Sequence, residues 1–170
     1  MGNTLKENMS TDPVTTQPDE GLEVAYARMK RENVRHLPVT DESGNVVGII
    51  SDRDFKRAMW PMNGAPQGFT TDSPNFQKDG HVAEFMSFPV KSVSEETKLL
   101  EAIHLMIDQK ISALVVLRDN KMSGIVTHED MLRLLATFLE RPTPLSDKLY
   151  RFGDSTTLNR YMQLLSSAGI

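Results

Sequence analysis

The chain has 170 residues, of which 39% are hydrophobic and 25% are charged, and its formal net charge is −4. That hydrophobic share is enough for an ordinary globular core, as one domain or as two smaller ones. No block of like charge stands out, so the chain lacks the basic surface with which proteins bind nucleic acid or an anionic membrane, and we expect neither partner.

Cysteine is absent from the sequence. Disulfides, thiolate nucleophiles and cysteine-ligated metal sites are therefore excluded. The first residues, MGNTLKENMS, lack the basic start and the apolar stretch of a signal peptide, and the longest apolar runs, such as ALVVL at 113–117, are too short to span a bilayer. We expect a cytoplasmic protein.

The first predicted elements are a short opening strand, in MSTDPVTT at 9–16, and a helix. The helix is predicted because apolar residues recur at positions i, i+3, i+4 and i+7, which lie on one face of an α-helix. These residues are Leu22, Ala25, Tyr26 and Met29.

Two strands and a second helix follow. VRHLPVT at 34–40 and VVGII at 46–50 are apolar runs of strand length, and the turn sequence DESGN at 41–45 separates them. Phe55 and Met59 then mark the apolar face of another helix. This part of the chain therefore predicts a unit in the order strand, helix, strand, strand, helix.

The same order recurs in the second half of the chain. GIISDRD at 48–54 returns as GIVTHED at 124–130, which is 76 residues later. The apolar helix positions also return, 77 residues later, as Leu99, Ala102, Ile103 and Met106. The turn of the second copy is one residue shorter, and loops absorb such changes. About 60 residues cannot close off a core alone, so we expect the two copies to pack together.

These patterns divide the chain into four segments. We place a first unit at residues 1–60, a linker at 61–82, a second unit at 83–140 and a C-terminal extension at 141–170. The linker is rich in proline and glycine, but Phe69 and Phe76, with Trp60 just before the linker, predict that it lies against the body of the protein.

The C-terminal extension contains one further helical pattern, at 155–165. Its apolar positions are Leu158, Tyr161, Met162 and Leu165. This helix either packs on its own protein or docks a partner, and the pattern fits both.

Three motifs, two of which occur in both units, resemble a known family. They are M-S-x-x-P-V at 9–14 with M-S-x-P-V at 86–90, R-H-L-P-V at 35–39, and G-h-h-[ST]-x-x-D in both units. In their order and spacing they resemble a tandem pair of CBS domains, named after cystathionine β-synthase and together called a Bateman module. The resemblance covers roughly residues 5–139.

The resemblance implies an α+β fold in which two β-α-β-β-α units form a pseudo-symmetric pair. It also implies clefts between the units that bind AMP, ADP, ATP or S-adenosylmethionine, and that regulate an attached or associated protein through this binding. The second unit departs from the first by carrying His128 and Glu129 where the first carries Asp52 and Arg53, so the two clefts need not bind equally.

The G-h-h-[ST]-x-x-D motif has chemistry that suits such ligands. A hydroxyl residue at the passage from strand to helix lies beside free backbone N–H groups, so a phosphate can bind next to Ser51 or Thr127. Asp54 and Asp130, one turn further on, can accept two hydrogen bonds from a ribose diol. Arg53 adds a positive charge for the phosphate.

Four more residues complete the predicted ligand-binding set. His36, at the start of a strand, could face the phosphates, and His128 lies inside the second motif. We expect the adenine ring against Val14 and Val34, where apolar strand residues can form a flat pocket.

These assignments have structural alternatives. The S-x-x-D and T-x-x-D patterns are close relatives of a helix capping box, in which the hydroxyl and the carboxylate only satisfy free N–H groups. A histidine at a strand edge can be a plain surface residue. Glu101, His104 and Asp108 share one helical face, which we interpret as solvated, and we predict no metal site.

We predict a regulatory module without catalytic residues, which senses an adenosine-type nucleotide and acts on a client protein. The alternative is a structural or dimerisation module with vestigial clefts. A third hypothesis, a nucleotide hydrolase using Ser51 and His36, lacks the G-x-S-x-G elbow of such enzymes.

We also expect a symmetric homodimer. Two predicted helices carry apolar faces that a single pair of units cannot bury completely. These faces contain Phe55 and Met59 in the first unit, and Met131, Leu135 and Phe138 in the second.

Overall fold

The computed structural model describes residues 3–59, 76 and 80–140. In this part of the chain the helices are α1 (Leu22–Arg31), α2 (Asp52–Met59), α3 (Val82–Phe85), α4 (Leu99–Gln109) and α5 (His128–Leu139). The strands are β1 (Ser10–Thr11), β2 (His36–Thr40), β3 (Val46–Ser51), β4 (Ser92–Ser94), β5 (Ala113–Arg118) and β6 (Lys121–Thr127). This order confirms the predicted α+β fold with two repeats. The helix predicted at 155–165 lies outside the described residues.

In the first repeat, β2 and β3 form an antiparallel hairpin. Its turn contains Gly44, whose φ of 80° is a left-handed conformation that glycine adopts without steric strain. The Asn45 N–H closes the turn by donating to the Asp41 carboxylate over 2.8 Å. The register places His36 opposite Ser51, so the start of β2 lies beside the end of β3, where the repeated motif leads into α2.

In the second repeat, β5 and β6 form the equivalent hairpin, and β4 lies parallel to β5 on its other side. The chain enters β5 from α4 through Lys110, which has a left-handed φ of 53°. The corresponding residue of the first repeat is Asn33, with a φ of 51°. Both repeats therefore leave their first long helix through the same backbone conformation.

The opening stretch of each repeat pairs with the sheet of the other repeat. β1 lies antiparallel to β6, with Ser10 opposite Ile125, so the larger sheet has the order β1-β6-β5-β4. Conversely, Ile49 of β3 and Ser87 exchange two backbone hydrogen bonds of 3.1 and 2.8 Å. The sequence predicted an opening strand in each unit. It did not indicate that β1 and the stretch around Ser87 would pair with the sheet of the other repeat, while β4 pairs with the sheet of its own.

The glycine of each repeated motif makes room for this exchange. At Gly124, an added Cβ atom would lie 2.7 Å from the carbonyl oxygen of Ser10 and 2.8 Å from Sδ of Met9. At Gly48, an added Cβ atom would collide with the side chain of Met86. Met9 and Met86 open the two M-S motifs, so the glycine of each repeat packs against the methionine of the other repeat.

The core of the first repeat is centred on Phe55 of α2. Phe55 is fully buried, and its ring packs edge-on against Tyr26 and Phe76, with centroids 5.4 and 6.0 Å away. The burial of Phe76 confirms that this part of the predicted linker lies against the body, whereas Trp60 and Phe69 lie outside the described residues. Of the face that we expected a second copy to cover, Phe55 is buried by the chain itself, whereas Met59 is only partly buried.

By its internal contacts the chain divides into two compact segments, residues 1–128 and 129–170. The segment 1–128 contains both sheets and the core around Phe55. Of the segment 129–170, the structure describes most of α5, in which no residue is buried. Leu132 and Leu135 are exposed by 64% and 47%. Among the described residues, no helix has the length and apolar character needed to cross a bilayer.

Candidate functional site

Ser51 and Asp54 meet at the passage from β3 to α2. Asp54 is only 9% exposed, and its Oδ2 atom accepts hydrogen bonds from the Ser51 backbone N–H, over 2.8 Å, and from the Ser51 hydroxyl, over 2.6 Å. The backbone contact is one half of a capping box. The helix-capping role that the sequence allowed for Asp54 is therefore present in the structure. A ligand that binds Asp54 has to do so while the carboxylate also caps α2.

The second oxygen of Asp54 has its own partner. Arg57, one turn further along α2, donates from Nη2 to Oδ1 over 2.7 Å. The Arg57 side chain is 68% exposed, whereas the Asp54 side chain is 12% exposed. The carboxylate thus lies at the wall of the protein, and the guanidinium covers it from the solvent side.

A cavity of about 440 Å³ opens beside this pair. The first repeat supplies one part of its lining, which is His36, Ile49, Ser51, Arg53, Asp54 and Arg57. The second repeat supplies the other part, which is Ser87, Pro89, Val90, Lys91, Lys110, Ile111, Ser112 and Ala113. Four of the predicted ligand-binding residues, His36, Ser51, Arg53 and Asp54, are therefore brought together at one cavity.

The apolar wall of this cavity differs from the predicted one. Val14 and Val34, which we expected near the adenine ring, pack partly buried against the core of the first repeat and do not line the cavity. Val90 and Ile111 line it instead. These residues hold the positions in the second repeat that Val14 and Val34 hold in the first. The reason is the strand exchange, which brings the opening stretch of the second repeat against β3.

His36 links the two repeats at the cavity. Its Nε2 atom lies 2.8 Å from the Ser112 hydroxyl, a hydrogen bond between residues 76 positions apart. Burial lowers the pKa of His36 below its usual value, against an opposing attraction from the carboxylates of Asp52 and Asp54. The nearby charges of His128 and Arg53 lower this pKa further. The lowered pKa favours the neutral form of His36, and the permanent positive charge at the cavity comes from the arginines and lysines.

The residues predicted for the second motif are arranged differently. Thr127 ends β6, and His128 begins α5, where its backbone N–H donates to the Ser112 carbonyl over 3.0 Å. Neither residue lines the cavity. Asp130 lies in the first turn of α5. Thr127, His128 and Asp130 remain sequence-based predictions as ligand-binding residues.

Three basic residues at the cavity were missed by the sequence analysis. Lys91 and Lys110 come from the second repeat, and Arg57 follows the first motif. A signal for Arg57 was available, since it lies three residues after Asp54 and shares its helical face. No local signal exists for the lysines, because only the strand exchange places Lys91 beside the first motif.

The described residues contain no group of three or more histidine, aspartate or glutamate side chains that could hold a metal ion. Glu101, His104 and Asp108, which share a face of α4, are all exposed. The described residues around the cavity offer hydroxyl, imidazole, guanidinium and ammonium groups with one carboxylate. Such a set suits an anionic organic ligand better than a divalent cation.

The CBS domain family model matches residues 5–61 and 82–137. A CBS domain-containing protein of Dictyostelium discoideum is 29% identical over 153 residues, which cover 84% of this chain and 97% of that protein. Among solved structures, the CBS domain pair of a protein in complex with 5′-methylthioadenosine and S-adenosylmethionine is similar, with a TM-score of 0.65 and 27% identity. The similarity covers 79% of this chain and 96% of that one.

A further solved structure supports the fold alone. It is CBSX2 in complex with AMP, with a TM-score of 0.65 and 24% identity over 82% of this chain and all of that one. Two family matches in tandem agree with the two repeats, the exchanged opening strands and the cavity lined by both repeats. The chain therefore belongs to the CBS domain family and carries two copies of the domain.

Proposed function

We propose that the protein is a regulatory module that binds an adenosine-type nucleotide in the cavity beside Ser51 and Asp54. The observation that carries this proposal is the lining itself, in which both repeats place polar and apolar groups around one cavity. Because the site needs both repeats, ligand binding can stabilise one arrangement of the pair, and such a shift can be passed to a partner protein.

The charge of the cavity supports a ligand with phosphate groups. Among the described residues, Arg53, Arg57, Lys91 and Lys110 line it together with a single carboxylate, Asp54. Arginine binds phosphate through parallel hydrogen bonds, and lysine binds it as a point charge. The start of α2 adds the positive partial charge of the helix dipole. Within the family's ligands, this favours AMP, ADP or ATP over S-adenosylmethionine, whose sulfonium is cationic.

The apolar side of the cavity supports an adenine ring. Val90, Ile111 and Ile49 provide an apolar surface next to backbone groups, which is the composition of most small-molecule pockets. The related domain pair with 5′-methylthioadenosine and S-adenosylmethionine shows that a protein of this fold binds adenosine compounds. We further propose a cytoplasmic protein without catalytic activity, which acts through a client.

Isothermal titration calorimetry with adenosine, AMP, ADP, ATP and S-adenosylmethionine tests this function. We expect Asp54→Ala to weaken nucleotide binding by about 1.5–3 kcal/mol, the usual value of hydrogen bonds to a charged group, or roughly one to two decades in affinity. Asp130→Ala is the matched control from the second repeat and should have a smaller effect. Equal binding to the wild type and to Asp54→Ala would leave Asp54 with its capping role only.

The alternative function, an interaction module, is favoured by one observation. α5 carries apolar residues along its length and buries none of them, and Leu132 and Leu135 are the most exposed. We propose that a second copy of the chain covers this face in a symmetric homodimer. Nucleotide sensing and dimerisation are compatible, since the cavity lies in residues 1–128 and the exposed leucines do not.

Sedimentation velocity at micromolar concentration tests the dimer. The wild type should sediment as a species of twice the chain mass of 19.1 kDa, and the double variant Leu132→Ser/Leu135→Ser should sediment as the monomer. Val24→Ser is a control, because Val24 is 56% exposed on α1 and lies away from this helix in the chain. A wild-type protein that stays monomeric with and without nucleotide would contradict the proposed dimer.

A further inference from the structure

The carboxylate of Asp54 has few free acceptor positions for the hydroxyls of a ribose. Oδ2 accepts two hydrogen bonds from Ser51, and Oδ1 accepts one from Arg57. A carboxylate offers about four lone-pair sites, so at most one of them is open. A ribose diol donates two hydrogen bonds, and binding it through both hydroxyls requires that one of the present contacts breaks.

The contact with Arg57 is the one that can break. The two contacts with Ser51 belong to the start of α2, where they satisfy a backbone N–H and a hydroxyl within the fixed geometry of the helix. Arg57 reaches Asp54 with a long side chain that is 68% exposed. The guanidinium end of the pair already lies in water, so Arg57 loses little when it leaves, whereas the buried Asp54 carboxylate needs the ribose hydroxyls in its place.

Arg57 also lines the cavity, together with Arg53. A guanidinium released from Asp54 therefore stays next to the space in which the phosphate groups of a bound nucleotide would lie. A phosphate oxygen replaces the lost carboxylate partner with a charge-assisted hydrogen bond of the same kind. A nucleoside without phosphate offers no such replacement.

We propose that Arg57 is a specificity-determining residue that exchanges its partner, from Asp54 to a ligand phosphate, when the ribose binds. This inference rests on the proposed function. Breaking the pair disfavours every ligand, and only a phosphorylated ligand offsets the loss. The exchange thus makes the presence of phosphate a condition for tight binding of the ribose.

The arginine at the corresponding position of the second repeat has a different charged partner. Arg133 holds the position that corresponds to Arg57, and its guanidinium donates to Glu129 over 2.6 Å, one helical turn away. Arg53 holds the position that corresponds to Glu129, so in the first repeat this neighbour repels Arg57 instead of binding it. Arg133 therefore provides a matched control.

Calorimetric titration of the full chain with adenosine, AMP and ATP tests the exchange, for the wild type, Arg57→Gln, Arg57→Lys and Arg133→Gln. In Arg57→Gln we expect ATP to bind roughly tenfold more weakly, while adenosine binds at least as tightly as to the wild type, because it no longer has to displace a cation. Arg57→Lys should retain part of the preference for ATP, since it keeps the charge. Arg133→Gln should match the wild type for all three ligands.

Two results would overturn this inference and can be told apart. If Arg57→Gln weakened adenosine, AMP and ATP by the same factor, Arg57 would only support the shape of the site, and the proposed function would stand. If the wild type bound none of the three, the proposed function would fall, and the role of Arg57 with it. Thermal unfolding of each variant without ligand shows whether a loss of binding reflects a loss of fold.

Discussion

The two repeats share one order of elements but differ in what their second helix does. α2 buries Asp54, Phe55 and Ala58, whereas none of the residues of α5 is buried. The helix starts also differ in charge, because Arg53 and Arg57 of the first repeat correspond to Glu129 and Arg133 of the second, which neutralise each other. A duplicated framework can thus keep its strand pairing while one copy holds the basic site and the other an exposed apolar face.

The largest expected effect tests the difference in burial. Phe55→Ala removes a fully buried ring that packs against Tyr26 and Phe76, and should lower the free energy of unfolding by about 3–5 kcal/mol. Met131→Ala, the corresponding change in the half-buried position of the second repeat, should cost clearly less. Urea denaturation followed by circular dichroism measures both. Equal losses would show that the two helices are buried alike in solution.

The next effect concerns the exchanged strands. Gly124→Ala places a Cβ atom against the backbone oxygen of Ser10, whereas Gly48→Ala meets only the flexible side chain of Met86. A backbone strand cannot move away without breaking its pairing, so we expect Gly124→Ala to destabilise by about 2–3 kcal/mol and Gly48→Ala by about 1 kcal/mol. The midpoints of urea denaturation give the order. The reverse order would mean that β1 yields more easily than the Met86 side chain.

Giving the first repeat a charge that the second repeat carries should have a moderate effect on nucleotide binding. Arg53→Glu gives the first repeat the charge pattern of the second, and a glutamate at this position can pair with Arg57. We expect ATP to bind roughly tenfold more weakly, with a smaller change for adenosine and a weaker dependence on salt.

The reverse substitution is the control for this prediction. Glu129→Arg changes the charge of the second repeat by the same amount but lies outside the cavity-lining set. Calorimetry at low and high salt should show no loss of ATP affinity in this variant. A loss as large as that of Arg53→Glu would indicate that total charge, and not the charge at the cavity, controls binding.

The smallest expected effect is a pH dependence from His36. Its pKa is lowered by burial in the folded protein, so below the unfolded-state pKa the unfolded chain binds a proton that the folded one does not. The free energy of unfolding should therefore fall as the pH drops from about 6.5 towards the lower pKa of the folded state. Above about pH 6.5, His36 should make no pH-dependent contribution. Thermal unfolding between pH 5 and 8 should show a shallower slope in His36→Gln. The same slope in that variant, or an equal change in His104→Gln on exposed α4, would contradict the assignment.

Much of the fold was predictable because its elements depend on local patterns. Leu22, Ala25 and Met29 are buried on α1 as their spacing predicted, and Ala102 and Met106 are buried on α4. The candidate site was predictable only for residues that are close to each other in the sequence. Ser51 and Asp54 lie three residues apart and must meet at the start of a helix, whereas Val90 and Lys91 are distant in sequence from both.

The sequence by itself determined the two repeats, the order of their elements and the motif that ends in Asp54, because periodicity and helix starts are set by neighbouring residues. Only the tertiary structure decided which repeat completes the cavity. The opening stretch of each repeat needs partners for its backbone hydrogen bonds, and no local pattern tells on which sheet it finds them. The packing of Met9 on Gly124 and of Met86 on Gly48 occurs in the exchanged pairing, which replaces Val14 and Val34 by Val90 and Ile111 at the site.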